Sequence, residues 1–360
     1  MADLHPVFIT SCASGADGAI TSLTFDAETG ALEVQHRYTE IENPFFLALS
    51  PDRKVLYATH VPGDFEADPG YVAAFAVGAD GSLRKINEQL AHGTTTCYVD
   101  VDPSGQAVVV ANYSSGSVGA YPVQEGGGLG EMESFVQHAG ASMVNPDRQE
   151  GPHAHCAVIS PSGSHMYASD LGLDQVLGYA LDAASAQLTP LDQAYVRTIG
   201  GGGPRHFTYH PQGGYVYANN ELANSVNVYA WDEAAGVLRE RQVISTLPEG
   251  YGEESYTADV KITPDGRFLY CTNRGHDSIA IYGIGEDGCL EVVEIASSLG
   301  NFAQNLAISG DGRWLLCANM DGMGLGGANV VVFAVDGGSG KLRAVGEPLE
   351  LVNPSCIMIG

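Results

Sequence analysis

Positive charge is scarce in this 360-residue chain. Sixteen Lys and Arg, only four of them Lys, stand against 43 Asp and Glu, for a formal net charge of −27. Phosphate backbones and anionic membranes bind clustered cations, so this balance argues against nucleic acid and lipid as partners. Solubility in a salty cytoplasm is the plainer reading of so acidic a surface. No stretch reaches the roughly 18 apolar residues of a membrane helix, and the opening MADLHPVFIT has no basic segment followed by a long apolar run. The seven cysteines are odd in number and include no CxxC pair. Cys97, Cys156, Cys271 and Cys317 lie in apolar runs and read as buried free thiols. A soluble, cytoplasmic protein is expected. A Ser nucleophile elbow is also missing, and GGGG at 200–203 lacks the strand–helix setting of a phosphate loop. Charged residues make up only 16%, whereas Gly numbers 46, which disfavours exposed amphipathic helix and predicts many turns.

What the chain does have is a repeat. Six segments share an apolar strand, a tight turn and a second apolar strand: LALSPDRKVLYATH from Leu47, VDVDPSGQAVVVAN from Val99, AVISPSGSHMYASD from Ala157, FTYHPQGGYVYANN from Phe207, VKITPDGRFLYCTN from Val260 and LAISGDGRWLLCAN from Leu306. Each turn carries an anchor residue: Pro51, Pro103, Pro161, Pro211, Pro264 or Gly310. Pro presets φ and Gly accepts positive φ, which suits both to turns. A second hairpin design recurs around Phe25, Phe75, Tyr121, Tyr179, Tyr229, Tyr282 and Phe333, spaced 46 to 58 residues apart. The two designs alternate, giving all-β units of about 50 residues with four strands each, a–b then c–d. That period predicts a β-propeller. Seven c–d hairpins meet only six a–b hairpins, so NPSCIMIG from Asn353 is expected to join the strands around VFITSCAS as the seventh innermost strand. The fold class is thus all-β, a seven-bladed β-propeller of four antiparallel strands per blade. It forms one domain over 1–360, closed between its two ends.

Alternating strand direction puts every a–b and c–d turn on one face and every b–c and d–a connection on the other. The first face holds stereotyped turns such as SPSG and TPDG. The second holds irregular loops, SDLGLDQ, NELANS, NRGHDS and NYSSGS, with the lead-ins EGPHAH and GGGPRH; DGMGLGGAN at 321–329 reads as a flexible member of this set. Six residues before each anchor, on the innermost strand, stand Phe45, Cys97, His155, Arg205, Ala258 and Gln304. Ten residues after it stand Val61, Tyr113, Leu171, Glu221, Arg274 and Met320. Register therefore gathers His155, Arg205, Glu221 and Arg274 at one mouth of the axial channel, on the third to fifth blades.

His153 and His155, one residue apart at a strand start, are expected to share a face. They are candidates for acid–base work near neutral pH. Zinc-type spacing around them is missing, although Asp170 and Glu221 are conceivable further ligands. Arg205 on an innermost strand needs an anionic partner, either Glu221 or a substrate. Arg274 reads the same way. If Glu221 is their counter-ion, its pKa falls and it is a poor base. His206, Asp170 and Asn112 complete the expected substrate-binding set with Arg274. The catalytic set is His153, His155, Arg205 and Glu221.

NPFFLALSPD, VDVDPSGQAVVVANYSSGSV, GPHAHCAVISPSG, GGGPRHFTYHPQGGYVYANNEL and ADVKITPDGRFLYCTNRGHDSIAIY together resemble the seven-bladed propeller lactonase family. That family includes bacterial propeller-type 6-phosphogluconolactonases and fungal carboxy-cis,cis-muconate cyclase. The resemblance runs over nearly the whole chain. It implies site residues at the His of GPHAH, Arg205, Glu221 and Arg274, with no metal and no cofactor. The expected function is hydrolysis of a sugar lactone, above all 6-phosphogluconolactone to 6-phosphogluconate in the pentose phosphate pathway. Two alternatives are lactonising cyclisation of a carboxylated muconate and a non-catalytic binding platform. The partner is then a small anionic lactone or carboxylate, and the chain a monomer or weak homodimer.

Overall fold

The structure, a computed structural model, describes residues 3–322, 324 and 326–360. Met1 and Ala2, at the head of MADLHPVFIT, and Met323 and Leu325, within DGMGLGGAN, lie outside the described residues. Seven antiparallel sheets, each ordered a–b–c–d from the axis outward, form a seven-bladed propeller. Blade 1 begins with Leu47–Leu49 and blade 2 with Thr96–Val101; blades 3, 4, 5 and 6 begin with Ala154–Ile159, Pro204–Tyr209, Tyr256–Ile262 and Ala303–Ile308. Blade 7 takes its innermost strand, Pro354–Ile359, from the end of the chain and its other three from the beginning. The seam pairs Val7 with Ile359 and Ile9 with Ile357. Thr10 and Ser355 share a hydroxyl hydrogen bond of 2.7 Å beneath it.

The recurring turn has a local cause. In all six a–b turns the amide two residues past the anchor donates back to the carbonyl just before the anchor. That amide belongs to a residue with φ between 59° and 78°: Gly105, Gly163, Gly213, Gly266 and Gly312 in five turns, Arg53 in the other. Glycine dominates because only it enters this region without a Cβ penalty. In five turns a Ser, Thr or Asp before the anchor also accepts the amide that opens strand b, as Ser160 does for His165 at 3.1 Å and Asp102 for Ala107 at 2.7 Å.

Neighbouring blades are stapled by buried phenols. Tyr217 Oη donates to Gly288 O at 2.9 Å and Tyr270 Oη to Gly340 O at 2.8 Å, each reaching the c–d turn of the next blade. Trp314 Nε1 does the same at Ala27 O, 2.8 Å, across to blade 7. The seven aligned c-strand aromatics are all buried.

One irregularity positions the site. The a–b ladders of blades 2 to 6 each skip residues: Cys97, His155, Arg205 with His206, Ala258 with Asp259, and Gln304. Blade 7 shows the same shift between Ile9 and Ser11. A β-bulge re-aims the side chain it displaces. Five of the six residues that lie six before the anchors, all but Phe45, therefore sit at bulges on innermost strands.

The closing strand should be needed for stability. Ile357→Ala, at a side chain only 3% exposed, is expected to cost about 2–5 kcal/mol. Val292→Ala, at a 54% exposed position, should stay within about 0.5 kcal/mol. Denaturant titration of both variants checks this; equal small effects would mean the seam is dispensable.

Candidate functional site

Glu221 follows directly on strand Tyr215–Asn220 of blade 4. Its amide donates to Gly203 O at 2.7 Å. Gly203 sits at φ +62°, and a Cβ there would lie 2.8 Å from Leu222 Cγ, so this lead-in admits glycine alone without distortion. The Glu221 carboxylate is 3% exposed. Oε1 accepts a 2.7 Å hydrogen bond from Arg148 Nη2. Oε2 lies 2.8 Å from Arg274 Nη2, 3.0 Å from Arg205 Nε and 3.7 Å from His155 Nε2. The Oε2 contacts are close but not aligned for hydrogen bonding, and neither Oε2 nor Arg205 Nε completes such a bond.

Arg205 is 1% exposed. Its Nη1 donates to Ala258 O and to His206 Nε2, the latter at 3.1 Å. His206 Nδ1 lies 2.7 Å from Asp259 Oδ1. An ionised carboxylate only accepts, so Nδ1 carries the proton and Nε2 is left to receive the guanidinium. Asp259 is further held by Lys261 Nζ at 2.8 and 2.9 Å, Asn305 Nδ2 at 2.8 Å and the amides of Val260 and Leu306, both at 2.9 Å. Phe46 and Tyr98 stack with centroids 4.2 Å apart, and each meets His206 edge-on. These rings close the channel below the charged layer. Beyond them a cavity of about 220 Å³, lined in part by Lys261, Asp100 and Asn305, opens toward the turn face.

The electrostatics follow from burial and crowding. Burial opposes ionisation of Glu221, but Arg274, Arg205 and Arg148 outweigh it and hold the carboxyl well below the usual range. Burial, then Arg205, pushes the His206 imidazole down to about 4. The same two causes hold His155 well below 6.5. Arg205 falls to about 10 through burial and the neighbouring Arg274, and so stays protonated at neutral pH. With His155 neutral, three guanidiniums face one carboxylate. Around Glu221 the guanidiniums thus outnumber the carboxylate three to one, in a chain carrying −27 overall.

The structure thus brings together His155, Arg205, Glu221 and Arg274, with His206 directly beneath. His153 sits at the edge of the group. Its ring stacks on Tyr113 at 4.7 Å, while His155 meets the same ring edge-on at 5.0 Å. The bulge between Ala154 and Cys156 breaks the simple alternation that would give the two histidines one face. His153 Nδ1 is 3.2 Å from Tyr113 O and Nε2 3.1 Å from the exposed Glu150. Asn112 and Asp170, expected to bind substrate, do not join the cluster. Both end a b strand, nine residues past the anchor, one position before the row that faces the mouth. Asn112 Nδ2 donates to Ala91 O and Ser117 Oγ, both at 3.0 Å. Asn220 and Asn273, its counterparts, make the same bond to Ser225 and Ser278. Asp170 accepts from the amides of His153 and Leu173 and lies 2.7 Å from the buried His138 Nδ1. Both residues build the frame. His206 is 3% exposed and lies beneath Arg205, whose Nη1 it meets at 3.1 Å. Among the described residues no group of three or more His, Cys, Asp or Glu is arranged to hold a metal ion.

Arg148 escaped the register argument because it lies in the long connection between blades 2 and 3. The available signal was a cation five residues before His153, on the irregular face. The aromatic walls escaped as well. The Arg274 guanidinium lies 5.1 Å from the Phe302 ring and 6.0 Å from Tyr256, and Arg148 lies 5.7 Å from Tyr256.

Taken together, these features define a seven-bladed propeller with one positively charged, carboxylate-organised channel mouth. Residues 6–359 match the family model described as lactonase, 7-bladed beta-propeller, and the chain belongs to that family. It is 32% identical to the 6-phosphogluconolactonase of Bacillus subtilis, covering 97% of each chain. It is 31% identical to a 6-phosphogluconolactonase of Formosa agariphila over 91% of each. Among solved structures, the periplasmic gluconolactonase of Pseudomonas aeruginosa superposes with a TM-score of 0.91 at 30% identity, covering 99% of both chains.

Stability should fall on mild acidification. An imidazole whose folded pKa lies below its unfolded value binds fewer protons folded than unfolded. Stability is therefore intact above about 6.5 and declines as pH drops toward the folded value. For His206, from 6.5 to about 4, the loss is of order 3 kcal/mol, and His155 adds in the same direction. Urea unfolding at pH 7.5 and 5 should show the decline, and His206→Asn should flatten it. A slope unchanged by that variant would refute the assignment.

Proposed function

We propose that this protein is a lactonase that opens a sugar lactone bearing an anionic substituent, with 6-phosphogluconolactone as its substrate. The observation that carries this reading is the surplus of guanidinium charge around Glu221, built into a chain otherwise short of cations. Such a mouth favours an anion, and it favours still more the negative charge that develops on a carbonyl oxygen under attack. The names of the relatives support the same substrate class.

In the mechanism we infer, water adds to the lactone carbonyl and the charge forming on its oxygen is met by the guanidiniums of Arg274 and Arg205. Neutral His155 accepts the water proton at its unprotonated ring nitrogen. The tetrahedral species then collapses with cleavage of the bond between the carbonyl carbon and the ring oxygen. The same proton passes from His155 to the departing ring oxygen, which leaves as a hydroxyl. Glu221 is too weak a base for this step. It holds the guanidiniums in place and stabilises the transient imidazolium 3.7 Å away. His206 and Asp259 fix the Arg205 plane from below.

The decisive assay couples freshly prepared 6-phosphogluconolactone to product formation, corrected for spontaneous hydrolysis. Wild type should accelerate opening, and Arg205→Ala should lower kcat/KM by about 10²–10³-fold, as loss of an oxyanion donor does. Glu221→Gln should both slow turnover and destabilise the fold by about 3–5 kcal/mol, because it strands buried cations. Full activity in Arg205→Ala would end this reading.

A further inference from the structure

The three guanidiniums around Glu221 differ in what they have left to offer. Arg205 is sealed in, with Nε against Glu221 and Nη1 on Ala258 O and His206. Arg274 is 11% exposed. It lies between the Tyr256 and Phe302 rings, its Nε 3.4 Å from Tyr256 O and its Nη2 3.3 Å from Thr257 O. Arg148 is 34% exposed. Only its Nη2 is engaged, with Glu221 Oε1 at 2.7 Å and Tyr113 Oη at 3.1 Å. Its Nε and Nη1 have no protein partner among the described residues, so donors of a cation remain open at the rim.

The backbone beneath that side chain is pinned. Gln149, fully buried, donates from Nε2 to Leu171 O at 2.8 Å and to Asp174 Oδ1 at 2.6 Å, and accepts the Asn145 amide at 3.0 Å. Asp174 also receives the Ser142 hydroxyl and the amides of Gly201 at 2.7 Å and Gly203 at 2.8 Å. One carboxylate therefore clasps the connection carrying Arg148 to the glycine lead-in carrying Arg205. The rim guanidinium is held at a fixed offset from the buried one, so little order has to be gained on binding.

We propose that Arg148 is the specificity residue for the anionic end of the substrate: it grips a phosphate monoester at the rim while the lactone carbonyl reaches the deeper Arg274 and Arg205. This inference rests on the lactonase reading above. The depth order of the three arginines sets the polarity of the bound molecule. The free Nε and Nη1 donors can each make a charge-assisted hydrogen bond to a phosphate oxygen.

The test compares wild type, Arg148→Gln and Arg148→Lys on 6-phosphogluconolactone and on unphosphorylated gluconolactone. The ratio of kcat/KM for phosphorylated over unphosphorylated substrate should fall at least tenfold in Arg148→Gln, mainly through KM. Arg148→Lys should recover part of the ratio, because charge returns without the guanidinium's separate Nε and Nη1 donors. A ratio unchanged within twofold, with both substrates slowed alike, would overturn the inference while leaving the lactonase reading in place. Calorimetry with 6-phosphogluconate and gluconate separates the two claims if wild type opens neither lactone. Tighter binding of the phosphorylated acid that Arg148→Gln abolishes would sustain the role of Arg148 and sink the lactonase reading. Equal binding of both acids to wild type would sink the specificity role as well. Thermal melts confirm that each variant is folded.

Discussion

A single carboxylate, that of Glu221, makes the channel mouth possible. Three guanidiniums converge on it, one from a connection and two from strands of blades 4 and 5, and these last two are almost wholly buried. Without that negative charge they would repel one another in a medium that screens poorly. With it, the group is still no source of stability, since desolvating several ions offsets much of the attraction they gain. A fold selected only for stability has no use for such a cluster. Perturbed, crowded ionisable groups gathered in one concavity are the usual physical signature of a binding or catalytic site.

The propeller supplies the geometry that the cluster needs. Seven inner strands converge on an axis, and regular pleating would send alternate side chains into the sheet interfaces. The bulges at Cys97, His155, Arg205, Ala258 and Gln304 interrupt that alternation one turn of chain below the mouth. The next residue along, on blades 1, 2, 4 and 5, provides the floor: Phe46, Tyr98, His206 and Asp259. This floor excludes bulk solvent from beneath Arg205 and strengthens every interaction above it. The relay from Arg205 through His206 to Asp259 then ends on Lys261 and Asn305. The guanidinium plane is therefore referenced to blades 5 and 6, not only to its own strand.

Much of this was legible in the sequence. The anchored a–b turns are local chemistry, Pro or Gly at one site and positive φ two residues later, so they survive as a written pattern and set the register. Register in turn located Arg205 and His155 on one row and Glu221 and Arg274 on another, and the coordinates bring all four together. Two kinds of residue were beyond its reach. Asn112 and Asp170 lie one step from the inward row, and a shift of one residue along a strand reverses the face; only the ladder and its hydrogen bonds show that they brace the b–c turns. Arg148 belongs to no repeat. Its place is set by tertiary bonds from Gln149 to Asp174, between residues 25 positions apart, which no periodicity encodes.

The distribution of cations gives these pieces one electrostatic meaning. On the turn face, Lys54 lies 3.4 Å from Asp52, Arg267 3.0 Å from Asp265 and Arg313 close beside Asp311. Each is matched by a carboxylate two residues away, so that face gains no local positive potential. Around Glu221 the case is reversed, three arginines to one carboxylate. An anionic ligand approaching the acidic surface therefore meets repulsion at long range and attraction only at the opening. Salt screens the first far more than the second, because exposed charges beyond about 10 Å are damped at 0.1 M ionic strength while buried ones are not. A highly acidic exterior is in this way compatible with an anion-selecting interior, and ionic strength would shift the balance in favour of entry.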